Sequence, residues 1–271
     1  MQVPHSYAAA LLAVLSLFAP KVSAQEAGAQ DAEALAKQLS NPVASLISVP
    51  LQLNMDQHLG ADRRGDRYTL NVQPVVPISV SAETNLISRT ILPVIRQEDV
   101  GGRGSDSGIG DVLQSAFFSP KAPTANGWIW GAGPVLLAPT GGDEFSRDQW
   151  AAGPTAVALK QAGPWTYGAL TNHLWGFANH GSGDEINATF VQPFLSYTTP
   201  SAVTYTVNSE STYDWETRRW NAPVNLQITK VTRVGDQLIS IGGGARYYLD
   251  APRGGASGWG FRGIITFLFP K

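Results

Sequence analysis

Cysteine is missing from this 271-residue sequence, so neither disulfides nor cysteine-ligated metals contribute to its fold. Charge is scarce: Asp, Glu, Lys and Arg make up 15% of the chain and nearly cancel, leaving a net charge of −2. That balance gives no electrostatic basis for binding nucleic acid. Beyond the N-terminal leader there is no apolar run of the ~18 residues that a helical membrane span requires. Histidine occurs four times, as His5, His58, His173 and His180, without the spacing of a metal site. No cofactor motif is present. The chain is instead rich in Gly (28), Pro (18) and Trp (8). Low charge with many glycines and aromatics suits a β-barrel with apolar outer staves and turn-rich ends.

The stretch Val203 to Thr229 shows the pattern most clearly. Val203, Tyr205, Val207, Ser209, Ser211 and Tyr213 fall on one face, and Thr204, Thr206, Asn208, Glu210, Thr212 and Asp214 on the other. After a short charged turn, Trp220, Ala222, Val224, Leu226 and Ile228 oppose Asn221, Asn225, Gln227 and Thr229. Side chains alternate across a strand, so this is a long two-faced hairpin. A soluble sandwich is the competing explanation. Long strands with aromatics at the ends of the apolar face fit a membrane barrel better.

Residues 7–20 form the longest apolar run, and Val22-Ser23-Ala24 follows as a small-x-small cleavage pattern. This reads as a secretory signal over 1–24. Ala32, Leu35 and Leu39 then predict one short periplasmic helix within 25–41, stopped at Asn41-Pro42. The barrel occupies 42–271. Twelve strands are predicted, at 43–54, 67–78, 85–96, 109–119, 127–138, 149–160, 164–177, 187–198, 203–213, 220–230, 237–249 and 258–269.

The connections alternate in character. Those after odd strands are long and charged, such as MDQHLGADRRGD and RQEDVGGRGSDSG. Those after even strands are mostly short, such as SAET, QAG and TPSA. Tight periplasmic turns with longer outer loops characterise transmembrane barrels, and an even strand number leaves both termini on the periplasmic side. Trp128, Trp130, Trp150, Trp165, Tyr167, Trp175, Tyr213, Trp215, Trp220, Tyr247 and Trp259 lie near predicted strand ends, as an interfacial girdle requires. Strands 109–119 and 127–138 break the pattern, with apolar residues on both faces. Pro74, Pro134, Pro154, Pro193 and Pro223 are expected at strand ends or bulges.

The segments NPVASLISVPLQ (41–52), QPVVPIS (73–79), GIGDVLQSAFFSPKAP (108–123), GPWTYGAL (163–170), QPFLSYTT (192–199), ESTYDW (210–215) and GWGFRGIITFLFPK (258–271) together resemble the Gram-negative outer-membrane transporter family of the phenol-degradation meta-pathway. The resemblance implies a β-barrel in the outer membrane and a channel for small, often aromatic, compounds. It supplies no catalytic motif. The C-terminus departs from the usual final aromatic, since Pro270-Lys271 follow Phe269.

Chemistry-bearing motifs are few. Gly141-Gly142-Asp143-Glu144-Phe145 spells a diguanylate cyclase signature, but it sits in a loop of an exported β chain, where a Gly-Gly-Asp turn explains it. A hydrolase needs a Ser–His pair oriented by Asn or Asp; His173 beside Asn172 is the one starting point, and no G-x-S-x-G elbow accompanies it. The informative set is polar: Arg89, Asn208, Glu210, Asp214, Asn225, Gln227, Arg246 and Arg262 fall in or at the ends of predicted strands. An arginine facing lipid at mid-membrane costs roughly 2–4 kcal/mol, so these should face inward. There they form either a selectivity ring or a structural salt-bridge network, with Glu210 within reach of Arg246 and Arg262. The expected partners are membrane lipid, the outer-membrane assembly machinery and small solutes. Passive passage of small solutes is the leading reading and a non-conducting, surface-binding barrel the alternative.

Overall fold

The computed structural model describes residues 31–102, 104–142, 144–179 and 185–270; the predicted signal sequence lies outside them. Fifteen ladder segments carry the fold: β1 (Ile47–Leu59), β2 (Gly65–Val72), β3 (Val75–Ser79), β4 (Thr84–Glu98), β5 (Ser105–Ile109), β6 (Val112–Pro120), β7 (Trp128–Ala138), β8 (Gln149–Ala162), β9 (Trp165–Asn179), β10 (Asn187–Thr198), β11 (Val203–Ser209), β12 (Ser211–Asp214), β13 (Arg219–Val234), β14 (Gln237–Asp250) and β15 (Gly258–Phe269). Three pairs of segments are single staves interrupted once, at Gln73-Pro74, at Gly110-Asp111 and at Glu210. The result is twelve antiparallel staves in chain order, closed by pairing of β15 with β1 from Phe269↔Ile47 to Phe261↔Met55. Closure satisfies every edge within the sheet, the condition for a strand structure to stand in lipid.

Side chains sort across the wall as the alternation predicts. Tyr205, Val207, Leu226, Ile228, Ile241, Phe261 and Ile265 are exposed on the outside, whereas Thr204, Asn208, Asn225, Ser240 and Arg262 are buried inside. Two aromatic belts encircle the barrel. Near one end Trp128 meets Tyr167 and Trp165 meets Tyr197; near the other Tyr213 packs on Trp215 and Trp220, and Tyr247 on Trp259. Trp165 and Trp175 stand ten residues apart on β9; at about 3.3 Å per residue and a tilt near 40° this separates the belts by roughly 25 Å, the height of an outer-membrane apolar band.

The strands are longer than the sequence suggests at their outer ends. Charged segments expected as loops belong partly to β1, β2, β4 and β5, which leaves outer connections at 60–64, 99–104, 139–148, 180–186, 215–218 and 251–257. Inner turns occupy 80–83, 121–127, 163–164, 199–202 and 235–236, so the alternation in length holds but is milder than expected. The ladder continues because Asn54 and Asp56 keep facing the lumen, where buried arginines receive them.

The first predicted strand is corrected at its start: residues 43–46 are not ladder but the end of an inserted segment. Residues 31–39 form the expected helix, with Lys37 bridging to Glu33 at 2.8 Å. Ala32, Leu35, Ala36 and Leu39 recur at helical spacing, and Leu35 and Ala36 bury against Leu46, Ala202, Val231 and Leu268 at the barrel end that holds the short turns. The Val43 amide donates to Asn41 Oδ1, turning the chain inward after the helix. Val43 then packs among Ile87, Phe117, Val157, Leu159 and Leu170 inside the wall.

Pro74 and Pro223 sit where predicted, at a stave interruption and at a register shift. Pro134 and Pro154 do not: they face each other within β7 and β8. The ladders on both flanks skip that rung, with no pairs between Phe118↔Ala132 and Ser115↔Val135 or between Ala152↔Trp175 and Thr155↔Asn172. The missing prolyl donors thus coincide with rungs that make no bonds. Pro193 also lies inside a strand, opposite Ala169. Gly133 allows the tight approach beside this rung, since a Cβ there would collide with the Ala116 carbonyl oxygen.

Candidate functional site

Two cavities lie in the lumen among the described residues. The inner one, about 380 Å³, is lined mainly by polar groups of the staves on one side, among them Gln52, Asn71, Thr206, Asn208, Gln227 and Thr229. Its floor is the inserted segment, through Ala36, Leu39, Ser40 and Pro42. The outer one, about 270 Å³, is lined by Leu113, Leu137, Leu170, Leu174 and Ala188, with Asn172, Ser115 and Thr212. Leu137 and Leu174 lie towards the outer ends of their strands, so this cavity lies nearer the long connections than the inner one does. Arg89, Ile91 and Phe190 line both cavities and form the partition between them.

At that level a charged cluster spans the lumen. Arg262 donates Nη1 and Nη2 to Glu210 Oε1 and Oε2 at 2.8 and 2.7 Å, and Nε to Asn54 Oδ1 at 2.7 Å. Its side chain is fully buried. Such a bidentate, charge-assisted pair fixes geometry as well as charge. Glu210 can reach it because the stave breaks there: Glu210 leaves the ladder between β11 and β12, and its amide bonds Pro223 O across a register shift in β13. Interruptions of this kind re-aim a side chain. Arg89 donates to Gln73 Oε1 at 2.9 Å, and Gln73 stands at another stave break. Asn225 Nδ2 donates to Asn208 Oδ1 at 2.7 Å, both residues buried.

A second cluster stands nearer the outer rim. Arg246 lies 3.3 Å from Asp56 and 5.1 Å from the centre of the Tyr248 ring, and Arg67 reaches Gln97 at 3.0 Å.

Of the residues singled out from sequence, Arg89, Asn208, Glu210, Gln227 and Arg262 line the inner cavity, and Asn225 braces Asn208. Arg246 does not join Glu210; it takes Asp56, which had been assigned to a loop. Asp214 ends β12 in phase with the inward Thr212; at the outer rim its Oδ1 accepts the amides of Glu216 and Thr217, with Arg147 3.9 Å away, as short carboxylates capture nearby amides at turns. Asn54, Asp56, Arg67 and Gln73 were missed. The phase of Asn54 and Asp56 with Gln52 was the available signal, lost when the first strand was ended at residue 54.

The remaining motifs find ordinary places. His173 faces outward, with Nδ1 2.7 Å from Thr189 Oγ1, while the adjacent Asn172 is buried in the lumen. Consecutive strand residues point to opposite faces, so Asn172 cannot orient that imidazole. His180 and Asp143 lie outside the described residues. Among the described residues there is no cluster of three or more metal-ligating side chains.

No protein-family model matches the chain, and no curated protein resembles it in sequence. Its fold is that of outer-membrane barrels. An outer membrane channel from Pseudomonas putida F1 superimposes with a TM-score of 0.66 at 14% identity, covering 83% of this chain and 96% of that one. Outer membrane phospholipase A from Escherichia coli superimposes with a TM-score of 0.50 at 9% identity, covering 84% and 90%. At the level of fold, the first likeness agrees with the resemblance to the phenol-degradation transporter family. The apolar exterior between two aromatic belts and these neighbours together place the chain in an outer membrane.

Proposed function

We propose that the barrel is a passive channel for small solutes, with the lumen rather than any catalytic group as its working part. The observation that carries this reading is the pair of cavities inside a closed wall, meeting at Arg89, Ile91 and Phe190. A solute entering from outside meets leucines first, then the partition, then a chamber of amides and hydroxyls. That order suits compounds with an apolar body and at least one hydrogen-bonding group, aromatic ones included. Water-filled porins have sixteen or more strands; twelve give a narrower bore, and the arginines narrow it further. Insertion would rely on the outer-membrane assembly machinery.

The runner-up is a non-conducting barrel. Its support is the inserted segment, which fills the periplasmic end through the apolar contacts of Leu35, Ala36 and Val43. Conductance across planar bilayers separates the two. The full chain is expected to show small steps. Val43→Asp, which places a carboxylate among apolar side chains, is expected to loosen the segment and raise the conductance. Absence of current from both proteins, each folded, would leave the binding barrel as the better account. Hydrolysis has the His173–Thr189 hydrogen bond in its favour, but among the described residues no third group bonds the imidazole to orient it.

A further inference from the structure

The partition between the cavities is short of one negative charge. Arg89 and Arg262 contribute two cations there and Glu210 one anion, and both Glu210 oxygens are taken by Arg262. Arg89 is left with a neutral partner, the Gln73 amide oxygen, bonded by Nη2 alone. No carboxylate of a described residue lies within ion-pairing distance of it. Arg89 nevertheless borders free space on both sides, since its side chain lines the inner and the outer cavity. It is half-buried: enclosed by the wall, open to the lumen. A planar guanidinium with unused donors matches a carboxylate in a bidentate arrangement. Directly above it, the outer cavity offers about 270 Å³ walled by Leu113, Leu137, Leu170, Leu174 and Ala188.

We propose that this is a binding site for small monocarboxylates with an apolar body, the carboxylate on Arg89 and the body in the leucine-lined outer cavity. The proposal deepens the channel reading by naming its solute class, and it rests on that reading only for the step of passage. One negative charge balances the partition, so monoanions are favoured over dianions. Acids without an apolar body leave the cavity wall unused and gain little. Neutral analogues of the same shape leave Arg89 without its partner.

The test is calorimetric titration of the full chain in non-ionic detergent with sodium benzoate, benzamide and sodium acetate. Benzoate is expected to bind one per chain, with benzamide and acetate each weaker by about tenfold or more. Arg89→Gln is expected to weaken benzoate by about tenfold or more while leaving benzamide unchanged; Arg89→Lys, which keeps the charge without the fork, falls between. Leu174→Asn is expected to weaken benzoate and leave acetate unchanged. Heat-modifiable migration on a gel verifies that each variant is a closed barrel. Equal affinity of benzoate and acetate, benzoate binding untouched by Arg89→Gln, or no benzoate binding at all overturns the proposal. Benzoate binding in a protein that conducts nothing sinks the channel reading and keeps the site. Conductance without benzoate binding does the reverse.

Discussion

The two sides of the lumen are built on different chemistry. Along β1 and β11 to β15 the inward row is mainly polar, with Asn54, Asn208, Glu210, Asn225, Ser240 and Arg262 bonded to one another or lining the inner cavity. Along β4 and β6 to β9 it holds an apolar cluster, Ile87, Phe117, Val157, Leu159 and Leu170 closed around Val43, beside buried polar groups such as Ser115, Thr155 and Asn172. A membrane barrel needs an apolar exterior everywhere, but its interior needs only to be filled or wetted. The difference shows that this barrel does both: one sector is packed like a protein core, and the other keeps hydrogen-bonding groups around open space. The partition residues Arg89, Ile91 and Phe190 sit where the two meet.

Substitutions on either side sharpen this contrast. The largest effect is expected from Glu210→Gln, which strands the fully buried Arg262 guanidinium. Breaking a buried pair from one side costs about 3–5 kcal/mol, read as a fall in unfolding free energy in urea with the protein in vesicles. The same change removes the anion at the partition and should shift the reversal potential towards anions. On the apolar side, Leu159→Ala opens a hole in a closed core and is expected to cost about 3 kcal/mol, with no change in ion selectivity. A selectivity change there would break the division into two sectors. Asn225→Leu leaves Asn208 Oδ1 without its donor, at about 1–3 kcal/mol. Asp214→Ala is expected to cost about 1 kcal/mol through the turn amides it accepts, and to leave the reversal potential where it was. A marked shift would make Asp214 a charge that the permeating ion meets.

The contrast also explains which parts were legible in advance. In β11 to β13 polar and apolar residues alternate because one face meets lipid and the other meets amides and charges; the hairpin could be read from Thr204, Thr206 and Asn208 against Tyr205 and Val207. In β6 and β7 alternation fails. Phe117 faces the packed sector and Phe118 faces lipid, so both faces demand the same chemistry. The ambiguity of residues 109–138 was the sequence signature of the filled side of the barrel. The inward arginines were foreseen from the cost of exposing them to lipid. Their partners were not: whether Arg246 meets Glu210 or Asp56 depends on the shear of the staves around the barrel, which no local pattern records.

The sequence by itself determined the short helix, twelve staves, the aromatic belts and the inward polar row. All of these follow from periodicity and from the energetic penalty of polar groups in lipid. Only the tertiary structure decided where the inserted segment lies, that Glu210 escapes its ladder to hold Arg262, and that Arg89 is left facing two cavities without a carboxylate. Those outcomes depend on which residues a closed, tilted sheet brings together around its own interior, Asn54 and Arg262 among them at a separation of 208 positions.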